Sequence, residues 1–121
     1  MNVRSAPSFL FFIGMVISSV AHAAFVDGTH LANSLAAERR FTNGTGSEQD
    51  AADSAFANGY ILGVIDTKAR TILCTPSGVK SDQLFAIVDK YVTQHPQLWN
   101  KSAEFLVLSA LWDAFPCTPK S

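Results

Sequence analysis

The chain has 121 residues, 48% of them hydrophobic, and its 9 basic and 10 acidic side chains leave a formal net charge of −1. That length holds one domain with a modest core. Without a basic stripe or a glycine-rich phosphate loop, the sequence argues against nucleic acid and nucleotides as partners.

The first segment reads as an export signal. Arg4 supplies a positive start, an apolar run follows at 9–20, and Ala21-His22-Ala23 has the small-x-small pattern at which signal peptidase cuts. A transmembrane anchor is the competing reading, but the run falls short of the roughly 20 residues needed to cross a bilayer. The expectation is a signal peptide at 1–23 and a mature periplasmic domain at 24–121 with no membrane span. In an oxidising compartment the two cysteines, Cys74 and Cys117, read as one disulfide. The bridge would close a long loop, for which the chain-entropy model gives roughly 4 kcal/mol.

No stretch alternates apolar and polar residues long enough to suggest a sheet, and the expected fold class is all-α, a small bundle of about four helices. The first helix is expected at 28–40, with Leu31 and Leu35 on its apolar side. A loop containing Gly44 and Gly46 follows. The second and longest helix is expected at 48–73, opened by a capping box of Ser47 and Asp50. Its acidic residues lie near the start and Lys68 and Arg70 near the end, which suits the helix dipole. Three- and four-residue spacing gives it a buried stripe of Ala52, Ala55, Phe56, Tyr60, Ile65, Ala69 and Ile72. Gly59 and Gly63 each cost about 1 kcal/mol of helix propensity relative to alanine, which points to close approach of a second helix over that face.

The third helix is expected at 81–94 with Ser81 as its N-cap, and with Leu84, Ile87, Val88, Tyr91 and Val92 turned inward. Pro96 breaks it at His95. A connector at 95–101 carries Leu98 and Trp99. The fourth helix, expected at 102–115, is apolar nearly all round, so it fills the centre of the bundle or forms a dimer contact. Pro116 stops it.

Chemistry is scarce. His30 and His95 fall in no metal-binding spacing, and there is no nucleophile elbow or dinucleotide fingerprint. No catalytic residue, metal or cofactor is expected, although Cys74, His95 and an aspartate could in principle be assembled into a thiol triad. Asp66, deep in the second helix, reads as a partner contact or as a carboxylate satisfied locally. Trp99 reads either as an exposed interface anchor or as a lid tucked over the open end of the bundle.

The run Phe56, Gly59-Tyr60, Gly63-Val64, Asp66 and Cys74-x-Pro76 resembles the type VI secretion amidase-immunity proteins, the Tai-like family. The likeness continues through Gln83-Leu84, Lys90-Tyr91-Val92, His95-Pro96, Ala103, Leu106 and Ala110-Leu111 to Ala114-Phe115-Pro116-Cys117. The resemblance implies a small helical periplasmic protein, often a homodimer, with a disulfide between these two cysteine positions. It implies no reaction of its own: such proteins bind a peptidoglycan amidase, a cysteine hydrolase injected by neighbouring bacteria, and block its cleft. Gly59, Tyr60, Gly63, Asp66, Pro76 and Pro116 then belong to the scaffold. By analogy the cleft-blocking contact falls on the connector, with His95, Gln97, Leu98, Trp99, Asn100 and Lys101 as partner-binding residues. A periplasmic stress chaperone or a general envelope protein-binding module is the alternative that the apolar fourth helix would also suit.

Overall fold

The structure, a computed structural model, describes residues 25–68 and 71–117. The expected signal peptide, Ala69 and Arg70 therefore lie outside the described residues. Among the described residues four helices follow in order: α1 (Gly28–Thr42), α2 (Glu48–Lys68), α3 (Ser81–Gln94) and α4 (Ala103–Ala114), with a 3-10 turn, Pro96–Leu98, between the last two.

α1 starts where Asp27 accepts a hydrogen bond from the His30 amide at 2.8 Å; it ends at Thr42 with Asn43 as C-cap, and the chain turns away at Gly44, whose φ of +75° suits glycine. The hairpin to α2 is locked by one carboxylate. Asp50 Oδ1 accepts from Arg40 Nε at 3.1 Å and Nη2 at 2.5 Å, while Oδ2 accepts from the Ser47 amide at 2.9 Å and its hydroxyl at 3.0 Å. The Asp50 amide donates back to Ser47 Oγ at 3.2 Å, completing the capping box expected from the sequence. The Arg40 guanidinium, followed by the Ser47 amide, holds the Asp50 carboxyl down at about 2.

The buried stripe of α2 differs from the one expected. Ser54, Ala57, Ile61 and Ile65 face the core, Phe56 and Tyr60 are half-buried, and Ala52, Ala55 and Ile72 are exposed. α2 carries apolar or small residues on both sides, so periodicity alone could not choose its inward face. Contacts from α1 choose it: Glu38 Oε2 accepts from the Ser54 hydroxyl and from Asn58 Nδ2, the latter at 3.0 Å. Gly59 and Gly63 are consequently turned outward, and a Cβ added at either would meet nothing. Among the described residues no second helix lies over them, contrary to expectation. α2 is described as far as Lys68, and the helix does not reach the expected 73: Thr71 and Ile72 form a turn, with both amides donating to the Lys68 carbonyl at 3.1 Å.

α3 buries Leu84, Val88 and Val92, with Ile87 and Tyr91 half-buried, as the spacing indicates. Its N-cap is Lys80 rather than Ser81, because the Gln83 side chain reaches back to accept from the Lys80 amide at 3.0 Å. α4 opens on the Ser102 hydroxyl, which accepts from the Phe105 amide, and buries Ala103, Leu106, Val107, Leu108, Ala110 and Leu111. It touches the other three helices, while Phe105 and Trp112 on its opposite side are exposed. Cys74 and Cys117 form a disulfide with a Cα–Cα separation of 5.2 Å, tying the loop after α2 to the residue just beyond α4.

Candidate partner-binding surface

Residues 95–101 are held far more firmly than a loop of that length requires. Pro96 disfavours helical geometry at His95, so α3 stops at Gln94 and the chain makes one tight turn. Within it the Leu98 amide donates to the His95 carbonyl at 3.0 Å and the Lys101 amide to the Leu98 carbonyl at 2.9 Å. The start of α1 then clamps the segment from the side. Gly28 N–H donates to the Lys101 carbonyl at 2.8 Å, Thr29 N–H to the Trp99 carbonyl at 3.0 Å, and Ala103 N–H to the Val26 carbonyl at 2.9 Å. Only glycine fits at position 28: a Cβ there would lie 2.8 Å from both the Trp99 Cα and its carbonyl oxygen, and 2.5 Å from a Leu106 methyl.

This clamp sorts the candidate contact residues into two sets. Leu98 and Trp99 are half-buried against the core, and the indole N–H of Trp99 donates to the Val92 carbonyl at 2.9 Å. Of the two readings of Trp99, the tucked one is the observed geometry. His95 is half-buried too, stacked on Tyr91 at a centroid distance of 4.1 Å, with Nδ1 donating to the Tyr91 carbonyl at 2.7 Å. Pro96, Gln97, Asn100 and Lys101 are exposed. The connector therefore presents two amides and an ammonium on a backbone whose apolar underside is anchored, which is a rigid polar edge rather than a mobile arm.

The scaffold residues picked out by the resemblance do not converge on one site. Gly59, Gly63 and Asp66 lie on the exposed side of α2, and Pro76 and Pro116 are exposed on either side of the disulfide. Burial, followed by the nearby Glu104 carboxylate, pushes the Tyr60 phenol above its ordinary range. Because Asp66 is exposed, no burial cost has to be met there; Lys68 pairs with Glu104 at 3.2 Å. The thiol triad does not form, since Cys74 is oxidised and the His95 ring is committed to Tyr91. Among the described residues no cluster of three His, Cys, Asp or Glu side chains is placed to hold a metal ion.

A second concave surface went unread in the sequence. Between α1, α2 and α3 lies a groove of about 250 Å³, rimmed by Glu38, Asp82 and Asp89 and floored by Leu35 and Phe85. Its three carboxylates come from two helices distant in sequence, so no local spacing announces them. Arg39 of α1 reaches across to pair with Asp89 of α3.

The family model of the Rap1a immunity proteins matches residues 27–117. No curated protein and no solved structure matches the chain. Among the described residues no helix is long and apolar enough to cross a membrane. The match runs from the N-cap of α1, through the clamped connector, to the second cysteine of the disulfide: the chain belongs to the Rap1a immunity protein family, whose members work by binding a protein effector.

Proposed function

We propose that this chain is a periplasmic immunity protein that inhibits a peptidoglycan amidase delivered by type VI secretion, using the exposed edge of residues 95–101 to obstruct the amidase cleft. The observation that carries the reading is the family match over 27–117. The export-type segment at 1–23 and the motif series from Phe56 to Cys117 that resembles amidase-immunity proteins support its finer parts. Rigidity of the connector favours inhibition as well, because a pre-ordered contact loses little conformational entropy on binding.

The clamp also dictates how the reading is tested. Replacing Leu98 and Trp99 removes core contacts along with any partner contact, so the informative changes are at the exposed edge. Gln97→Ala combined with Asn100→Ala and Lys101→Ala should leave thermal stability near that of the parent. If the connector enters the cleft, the triple variant weakens inhibition of the cognate amidase by about tenfold or more. Inhibition equal to that of the parent removes the connector from the contact while leaving the immunity role intact.

A homodimer belongs to the same proposal. The outward side of α2 displays Ala52, Ala55, Gly59, Leu62 and Gly63, an apolar strip with room for a second backbone. A second copy packed there would offset the two glycines' cost in helix propensity.

A further inference from the structure

We propose that a small recess between α1 and α2 binds one pyranose ring of a neutral glycan, a property that goes beyond effector binding and does not depend on it. His30, Asn33 and Ser34 of α1 and Asp53 of α2 line the recess, and none of them belongs to the acidic groove. The decisive residue is Ser34. It is only 3% exposed, yet its hydroxyl makes no hydrogen bond among the described residues. A helical hydroxyl has the carbonyls three and four residues back within reach; Thr42 and Thr67 use theirs, and Ser34 does not. Nor is its oxygen sealed into the core: the enclosed oxygens without a partner are those of Asn58 and Thr75, whereas Ser34 opens onto the recess. A buried polar group left unpaired is costly, and a ligand in the recess would relieve it.

The rest of the wall selects the ligand. Asp53 Oδ1 accepts from Gln49 Nε2 at 2.9 Å, and its Oδ2 has no partner among the described residues. A carboxylate only accepts, the Asn33 carboxamide donates and accepts, and a hydroxyl or an imidazole can do either. An anion would meet the Asp53 carboxylate, and a cation would leave the Asn33 amide donors unanswered. Vicinal hydroxyls answer all four groups, because each O–H both donates and accepts. His30 adds a flat side: its ring is backed by Phe56 at a centroid distance of 4.7 Å, and the C–H face of a pyranose can lie against its apolar body. The volume of about 210 Å³ is below the roughly 300–1,000 Å³ of pockets for drug-sized ligands, so one ring enters and its neighbours in the glycan stay outside.

The test titrates the oxidised protein, followed by NMR, with methyl β-glucopyranoside and with its fully O-methylated form, which keeps the ring but has no O–H to donate. The glucoside should give saturable shifts at the Ser34 amide and the His30 ring, and the methylated form should give none. Ser34→Ala removes an unpaired hydroxyl, so it should keep thermal stability at or above that of the parent while weakening glucoside binding about fivefold or more. Asp53→Asn, checked in the same way, should weaken it similarly. Tri-N-acetylchitotriose and maltotriose separate the sources of such a ring. Tighter binding of the first assigns the recess to amino-sugar strands such as those of the cell wall, and tighter binding of the second to plain glucans; either sustains the proposal. Equal shifts from the methylated sugar, no saturable response at Ser34 and His30, or parental affinity in the folded Ser34→Ala variant overturns it.

Discussion

Two single residues carry disproportionate weight. Gly28 lets the first turn of α1 lie directly against the connector, where a side chain would collide with backbone atoms of Trp99 that cannot move aside. Gly28→Ala should therefore destabilise the protein by about 1–3 kcal/mol, the range for overpacking, despite alanine's better helix propensity. Urea unfolding measures this, and a stability equal to the parent's would contradict the clamp. Asp50 is the second. Its folded carboxyl titrates at about 2, below the ordinary carboxylate range. Lowered by folding, it stabilises the hairpin fully above that ordinary range, and the contribution disappears as pH falls through about 2. NMR titration should find its midpoint near that value, and Arg40→Gln should raise it. The Ser47–Asp50 capping box was legible in the sequence because a cap is a local pattern. The Arg40 contact and the need for glycine at 28 were not, since both depend on chain segments brought together by folding.

At the scale of the element, legibility followed amphipathicity. α3 has one apolar side and was read with its inward face correct. α4 is apolar nearly all round, but this chain covers only part of it: Ala103, Leu106, Val107, Leu108, Ala110 and Leu111 are buried, while Phe105 and Trp112 stay exposed. α2 was misread, because Ala52, Ala55 and Gly59 look like core to a periodicity argument while Glu38 in fact turns Ser54 and Asn58 inward. The outward glycines then make a prediction with two separable signs. In a monomer, Gly59→Ala and Gly63→Ala meet open space and should each add up to about 1 kcal/mol of stability. If a second copy packs on that strip, the same changes should also weaken the dimer. Light scattering across a dilution series, alongside thermal unfolding, separates the two effects. Trp99 teaches a related lesson. Sequence could not say whether it pointed out or in, because the deciding partner is the Val92 carbonyl, seven residues back in α3. Trp99→Phe keeps the ring but loses that hydrogen bond, and should cost about 1 kcal/mol in urea unfolding.

The whole molecule is a small bundle in which each of the four helices touches the other three and whose ends are closed by covalent and hydrogen-bonded ties. The disulfide spans a sequence separation of 43, so reducing it, or replacing Cys74 and Cys117 by serine, should cost about 2–5 kcal/mol in unfolding experiments. That bridge was legible in two cysteines and a presumed oxidising compartment. The acidic groove was not, because its parts meet only when α1, α2 and α3 pack. The one measurement that tests the central claim most directly is capture from periplasm and from candidate secreted amidases, with the oxidised protein as bait. The account predicts one tight protein partner whose hydrolase activity is lost on binding. A crowd of unrelated clients that bind only at low pH, or amidases that remain fully active when mixed with the protein, would contradict it.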